Sequence, residues 1–223
     1  MADGILLVDK PKGWSSYDVI RFLKRKFGGI KIGHAGTLDP MATGLLVILL
    51  GDATRKFGEF QKLPKEYVAT LEFGKETDTF DAEGRVIWEY GEEIEVNREH
   101  LEKTLGEFRG EIMQTPPTHS ALKIGGRPAY KLARAGEAPE MMPRKVFVYE
   151  ARILNIGSAD KTAEILFLVS SGTYIRSLAR DIGRALGYGA HLSALRRTKI
   201  GDFSAERAKL PENILESDIL AAP

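Results

Sequence analysis

The chain has 223 residues, 43% hydrophobic and 28% charged, which is ample for a folded core and excludes disorder, collagen-like repeats and low complexity. It has no cysteine, which excludes disulfides and thiolate metal sites. Its longest apolar run, Leu45 to Leu50, falls far short of the roughly 18 residues a membrane span needs, and Ile5 to Val8 is too short for a signal-peptide core. A cytoplasmic protein with no membrane partner is expected. In chain order, Gly4 to Val8 reads as a short buried strand, followed by a turn at Lys10-Pro11-Lys12-Gly13. Ser15 or Ser16 then caps a helix to about Phe27, with Val19, Ile20, Leu23 and Phe27 at helical spacing. Gly33 to Gly44 is a loop, Leu45 to Leu50 a buried strand, and Tyr67 to Phe73 an alternating, half-buried strand. Asn97 caps a helix to Leu105, and a short helix spans about Pro128 to Ala135. Val146 to Ile156 and Ala163 to Val169 are long strands, Thr173 to Leu186 is a helix stopped by Gly187, and Leu192 to Ile200 is mostly strand. Runs of strands and hairpins without regular helix alternation make the class α+β.

Thirty-two basic and 31 acidic residues give a net charge of +1, but the charges are segregated. Lys10 to His34 carries seven Lys or Arg against one acid, His119 to Lys145 six against two, and Gly172 to Lys209 eight against three. Glu72 to Glu111 reverses this, with 13 acids and five bases. Basic segments that meet in space make a positive face able to follow a phosphate backbone. The same runs also read as solvated surface.

The densest punctuation is Gly33-His34-Ala35-Gly36-Thr37-Leu38-Asp39-Pro40-Met41-Ala42-Thr43-Gly44. Its glycines permit close backbone approach and Asp-Pro sets a turn, yet no Gly-Lys-Ser/Thr closes it as a P-loop. Asp39 reads either as a turn former or as a rigidly held carboxylate nucleophile with His34 beside it. Ser120-Ala121-Leu122-Lys123 matches S-x-x-K but lacks its S-D-N and K-T-G companions, so Ser120 is structural or substrate-positioning. The histidines, at 34, 100, 119 and 191, form no i, i+4 pair, and no metal site is expected. Arg176, Arg180 and Arg184 recur at i, i+4, i+8, either as a solvated basic face or with Arg176 turned to a buried carboxylate. Tyr17, Tyr67, Tyr130 and Tyr174 are core residues or stacking platforms for nucleobases.

Taken in order, these segments resemble the TruB family of tRNA pseudouridine-55 synthases. The resemblance rests on GILLVDKPKG (Gly4 to Gly13), the Gly33 to Gly44 loop, Lys65-Glu66-Tyr67, TPPTHSALK (Thr115 to Lys123), GTYIRSLARDIGR (Gly172 to Arg184) and AHLSALRRTKIGDF (Ala190 to Phe203). It implies a pseudouridine-synthase fold, a mixed, mostly antiparallel sheet with flanking helices and a central RNA-binding cleft. It implies Asp39 as nucleophile, Tyr67 stacking on the target uracil and handling protons, and Arg176 pairing with Asp39. His34 would enter the space left by a flipped base. Lys10 and Pro11 resemble a dipeptide supporting the site, Tyr174 and Leu195 match pocket-lining positions, and Ser120 and Lys123 fall in a substrate-binding segment. Residues 119–146 resemble a mobile thumb that closes over RNA, with His119 where an aromatic Tyr or Phe is usual. The chain ends near the point where the family's C-terminal PUA-type domain begins, so a single catalytic domain over 1–223, lacking that domain, is expected. Met41-Ala42-Thr43-Gly44 looks like the stand-alone version, so the expected partner is the T-arm of tRNA with no guide RNA, and the expected state a monomer.

The implied reaction, uridine to pseudouridine, breaks an N-glycosidic bond, turns the base and joins C5 to C1′. No electrons leave and no group is added, so no cofactor is expected. One carboxylate can start it, at C1′, at C6 or by assisting a glycal, and a neighbouring guanidinium favours the ionised form. The rival reading is a non-catalytic tRNA-binding or chaperone module using the same basic face.

Overall fold

The structure is a computed structural model that describes residues 3–120, 122–137, 139–157 and 161–222. Ala121 of the S-x-x-K segment, and with it Ala138 of the thumb segment, lie outside the described residues. In chain order the elements are β1 (Gly4–Lys10), α1 (Ser16–Phe27), β2 (Ile32–His34), β3 (Thr43–Leu50), a 3-10 helix (Gly51–Lys56), α2 (Phe57–Lys62), β4 (Lys65–Phe73), β5 (Lys75–Thr77) and β6 (Val86–Glu89). Then come α3 (Arg98–Glu107), β7 (Gly110–Gln114), β8 (Lys123–Ile124), β9 (Arg127–Pro128), α4 (Ala129–Arg134), β10 (Arg144–Gly157), β11 (Thr162–Val169), α5 (Ile175–Ala185), β12 (Ala190–Ile200) and β13 (Phe203–Ser204). No helix among the described residues is long and apolar enough to cross a membrane.

Two compact units result, Met1–Val68 with Leu195–Pro223, and Ala69–Ala194; β4 and β12 contribute residues to both. In the first, the strand order is β1-β3-β12-β4, with β2 added to β3 and β13 to β12. β1 and β3 are antiparallel, Leu6 opposite Ile48, whereas β3 and β12 run parallel with Arg197 opposite Gly44. One face of β1 and β3 (Ile5, Leu7, Leu45, Val47, Leu49) packs with Phe60 of α2 and Ile200, and the other (Leu6, Val8, Leu46, Ile48, Leu50) with Val19, Ile20, Leu23 and Phe27 of α1. Burial on both faces explains why Leu45 to Leu50 is uninterrupted rather than alternating. Ser15 is the N-cap of α1, and with Asp18 it forms a reciprocal capping box; three basic residues close the last turn. Two hydrogen bonds from Ser15 and one from Arg21 hold the Asp18 carboxyl down to about 2.

In the second unit the strand order is β12-β4-β11-β10-β7. β10 is antiparallel to both β11 and β7, and along β11 the residues Ala163, Ile165, Phe167 and Val169 are buried in strict alternation. α5 buries Ile175, Leu178, Ala179 and Ile182. This is the expected α+β class, a mixed and mostly antiparallel sheet with helices. The β5–β6 hairpin, β7 and α2 were not evident from the apolar pattern; Val86–Glu89 is exposed along its whole length, so no periodicity marks it.

Candidate active site

In the first unit the segment between β2 and β3 carries Asp39, which is half-buried. The backbone on either side of it is tied down. Leu38 N–H donates to Ser16 Oγ at 2.8 Å, and that hydroxyl donates back to Leu38 O at 3.1 Å. Pro40 O accepts from Gly13 N–H at 2.8 Å and from Lys10 Nζ at 3.3 Å. Ala42 N–H closes a turn onto Asp39 O at 3.1 Å. Lys10, fully buried, also donates to Pro11 O (2.9 Å) and Trp14 O (2.5 Å), so the Lys10-Pro11 dipeptide supports the Asp39 turn through carbonyl contacts.

A second buried cation grips the same loop nearer its start. Arg197, 1% exposed, donates from Nη2 to Gly36 O (3.1 Å), from Nη1 to Thr37 O (3.4 Å) and from Nε to Leu45 O (2.8 Å). Its guanidinium carbon lies 6.0 Å from the centre of the Tyr67 ring, within cation–π range. Burial first and the Arg197 charge second push the His34 imidazole below its usual value, against a raising contribution from the Gly36 backbone. His34 is therefore neutral near pH 7, suited to stacking or to a neutral hydrogen bond. Lys65, at the start of β4, donates to Gln61 O and to Leu63 O (2.7 Å); burial and Arg197 lower its pKa to about 8. His34, the Asp39 loop, Lys65 and Tyr67 are thus gathered around one guanidinium. Leu195 is buried two residues before it on the same side of β12.

The second unit holds Arg176 in the first turn of α5. Arg176 is 5% exposed; Nη1 donates to Thr79 O (3.1 Å) and lies 3.4 Å from Asp81 Oδ2, while Nη2 donates to His119 O (2.8 Å). Asp81 sits in a turn closed by Thr77 Oγ1 to Asp81 O (2.7 Å) and Thr79 Oγ1 to Asp81 Oδ1 (2.6 Å). Tyr174, the N-cap of α5, is held by Gln114, which accepts from Tyr174 N–H at 2.8 Å and donates to Tyr174 O at 3.0 Å. Arg144 lies over the Tyr174 ring at 5.0 Å. Ser120 is buried, and Lys123 is exposed on β8. His119 accepts from Arg176 through its backbone carbonyl, and its ring Nδ1 lies 3.4 Å from Thr118 Oγ1.

Several basic residues counted toward a phosphate-tracking face are not available for it. Lys10, Arg176, Arg180 and Arg197 are buried, and Arg196 is bound bidentately by Asp9 at 3.0 and 2.8 Å. The α5 arginines are not a solvated face: Arg176 and Arg180 are buried, and Asp81 is a buried carboxylate beside Arg176. Arg180 stacks on Phe80 at 4.3 Å and donates to Asp181 at 2.7 Å, and Arg184 binds Glu76 bidentately at 2.7 and 2.5 Å. Exposed basic residues remain on the outer face of α1, with Arg21, Lys24, Arg25 and Lys26, and in the 119–145 segment, with Lys123, Arg127, Lys131 and Lys145. From the sequence, Ser16 was singled out only as an alternative cap and Lys65 only within a motif, while Asp81, Gln114 and Arg197 were not singled out. Strand parity with buried Leu195 was the signal for Arg197, and a hydroxyl beside the Ser15 cap was the signal for Ser16.

The start of the Asp39 loop and the Tyr67 ring thus both neighbour the Arg197 guanidinium. The family model described as TruB family pseudouridylate synthase (N terminal domain) matches residues 24–175, and that of the tRNA pseudouridylate synthase B C-terminal domain matches 176–218. The chain is 50% identical to tRNA pseudouridine synthase B of Aquifex aeolicus, covering 97% of this chain and 75% of that one. It is 48% identical to its namesake in Bordetella avium, covering 92% and 84%. A chain in the crystal structure of a Cbf5-Nop10-Gar1 complex is similar at TM-score 0.71 and 33% identity, covering 93% of this chain and 52% of that one. A chain of an H/ACA RNP bound to a substrate RNA containing 2′-deoxyuridine is similar at TM-score 0.67 and 30% identity. This chain covers 92% of itself in that match but spans only about half the length of either structure's chain. Sequence and fold agree, and the chain belongs to the TruB family of pseudouridylate synthases.

Proposed function

We propose that this enzyme converts the uridine at position 55 of the tRNA T-loop to pseudouridine, with Asp39 as nucleophile. The observation that carries the reading is the Asp39 turn: its two neighbours are tied down, Leu38 by buried Ser16 and Pro40 by buried Lys10 and by Gly13 N–H, which supports a fixed presentation of the carboxylate. Rigid presentation of a reacting group is worth several kcal/mol when the partner must be met in one geometry. The curated relatives' name, tRNA pseudouridine synthase B, supports tRNA as substrate.

The base leaves its stack so that its glycosidic bond can be reached, at a cost of a few kcal/mol that stacking on Tyr67 offsets. The N1–C1′ bond breaks, the uracil turns, C5 bonds to C1′, and the proton lost from C5 is balanced by the one N1 gains. Asp39 carries the sugar or base through this step and is released unchanged, so the overall reaction is an isomerisation with no net electron flow. Tyr67 supplies or receives the proton, and Arg176 keeps Asp39 ionised. Neutral His34 occupies the gap left by the flipped base, and Tyr174 and Leu195 line the pocket. Lys10 and Pro11 support it. Ser120 and Lys123, within the thumb segment 119–146, meet the RNA, and the exposed bases of α1 meet phosphates. The enzyme acts as a monomer without a guide RNA.

The test is incubation of the purified chain with unmodified tRNA and, separately, with a T-arm stem-loop, followed by pseudouridine mapping. Modification at position 55 in both is the expected result. Binding without isomerisation would establish the tRNA-chaperone reading instead, and modification elsewhere would overturn the position.

A further inference from the structure

Arg197 is a fully buried arginine, and among the described residues it has no carboxylate at ion-pair distance. An apolar residue of similar length would pack at lower cost, because burying an unpaired charge is unfavourable. What the charge does is visible in its contacts. The side chain holds Gly36 O and Thr37 O at the beginning of the Asp39 loop, while Nε holds Leu45 O just after its end. The Arg197 backbone presses on that end too: Gly44 has φ +99°, and a Cβ there would meet Arg197 O at 2.3 Å. One residue therefore clasps both ends of the loop, with side chain and main chain together. Arginine suits this because its planar fork directs several N–H groups at once, which an ammonium cannot do.

We propose that Arg197 is a positioning residue for the isomerisation, fixing from both ends the loop that presents Asp39. This rests on the reading of Asp39 as nucleophile. The groups facing the guanidinium are His34 of β2, Lys65 and Tyr67 of β4, and the loop carbonyls; burial and, second to it, this charge lower the proton affinity of His34 and Lys65.

Three variants test it: Arg197→Lys, which keeps the charge but loses the fork; Arg197→Met, which loses both; and Gly36→Ala, which disturbs the clasp from the loop side. At Gly36 φ is +101° and an added Cβ would lie 3.5 Å from Arg197 Nη1, so the loop, not the core, takes the strain. The readouts are kcat and KM on unmodified tRNA, thermal melting, and the His34 imidazole titration by NMR, assigned with His34→Gln. Arg197→Lys should lower kcat by about tenfold or more with KM within about twofold, and leave the His34 titration in place. Arg197→Met should lower kcat further and shift the His34 midpoint up. Wild-type kcat in folded Arg197→Lys and Arg197→Met, or a raised KM with unchanged kcat, overturns the proposal. If both Arg197 variants fail to fold, Gly36→Ala decides: a selective loss of kcat supports the clasp, whereas wild-type kcat, or unfolding of this variant too, shows a folding role alone and overturns it. Asp39→Asn is run alongside. Turnover by that variant would sink the nucleophile reading, and an inactive Asp39→Asn with a fully active Arg197→Lys sinks only the present proposal.

Discussion

Two buried arginines, one in each unit, are satisfied by different chemistry. Arg176 is held by a carboxylate, Asp81, and by the carbonyls of Thr79 and His119. Arg197 is held by three loop carbonyls and faces an aromatic ring, a neutral imidazole and a lysine whose proton affinity it depresses. A guanidinium beside a carboxylate is partly neutralised and mainly locks geometry, as a turn-to-helix strut does. A guanidinium solvated by carbonyl dipoles keeps its field, and the field acts on whatever ionises nearby. In the first unit burial, with this charge second to it, lowers the proton affinity of His34 and Lys65, whereas in the second hydrogen bonds hold Arg176 and Tyr174 in place.

The largest effect expected tests what the carbonyl-held loop is for. Asp39→Asn keeps the turn and removes the nucleophile, so pseudouridine formation should fall to background while tRNA still binds; measurable turnover refutes the role. Next, Tyr67→Phe retains the ring that Arg197 faces and deletes the hydroxyl. A proton-transfer role predicts a loss of about 10²- to 10⁴-fold in single-turnover rate with little change in tRNA affinity, and an unchanged rate removes that role. The third acts on the other arginine. Asp81→Asn removes the carboxylate that lies 3.4 Å from buried Arg176 and should cost about 3–5 kcal/mol in stability, read by urea unfolding. A cost below about 1 kcal/mol would mean that the other partners of Arg176 suffice to hold it, and the contrast between the units would collapse.

The smallest effect sharpens the field argument through pH. Lys65 titrates near 8 when folded and near its ordinary 10.5 when unfolded. Between those values the unfolded chain binds the extra proton, so stability contributed by this site rises with pH across that window. Comparing urea midpoints at pH 7 and pH 9.5, wild type should gain relative to Lys65→Met. A difference between the two proteins that does not change with pH would show that Lys65 is not depressed by Arg197 and burial.

Much of the scaffold was readable in order. The α1 boundary was within a residue because Ser15 and Asp18 form a local capping signal, and β3 was found from its unbroken apolar run, two residues short of its true start. The Gly33–Gly44 loop was found from glycine and Asp-Pro punctuation. The β5–β6 hairpin escaped because its second strand is exposed throughout, and α2 because six residues with one buried side chain show no period. The charge runs misled most. Arg196 and Arg197 are neighbours with the same side-chain type, yet one bridges to Asp9 at half exposure and the other is buried among carbonyls. Strand alternation separates them, but only the register of β12 on β3 says which of the two meets the loop.

What the sequence by itself determined is whatever depends on neighbours along the chain: caps, turns, apolar periods and the ordered motifs that mark the TruB family. Those signals are local, because a hydrogen bond from Asp18 N–H to Ser15 Oγ or a Pro after Asp39 acts within a few residues. Tertiary structure alone decided which charges are buried and what answers them. Arg197 meets Gly36 across 161 positions, and Arg176 meets Thr79 across 97. A charge's meaning depends on dielectric and on partners within a few ångströms, and the sheet that brings such distant residues together is not written in the spacing of either one.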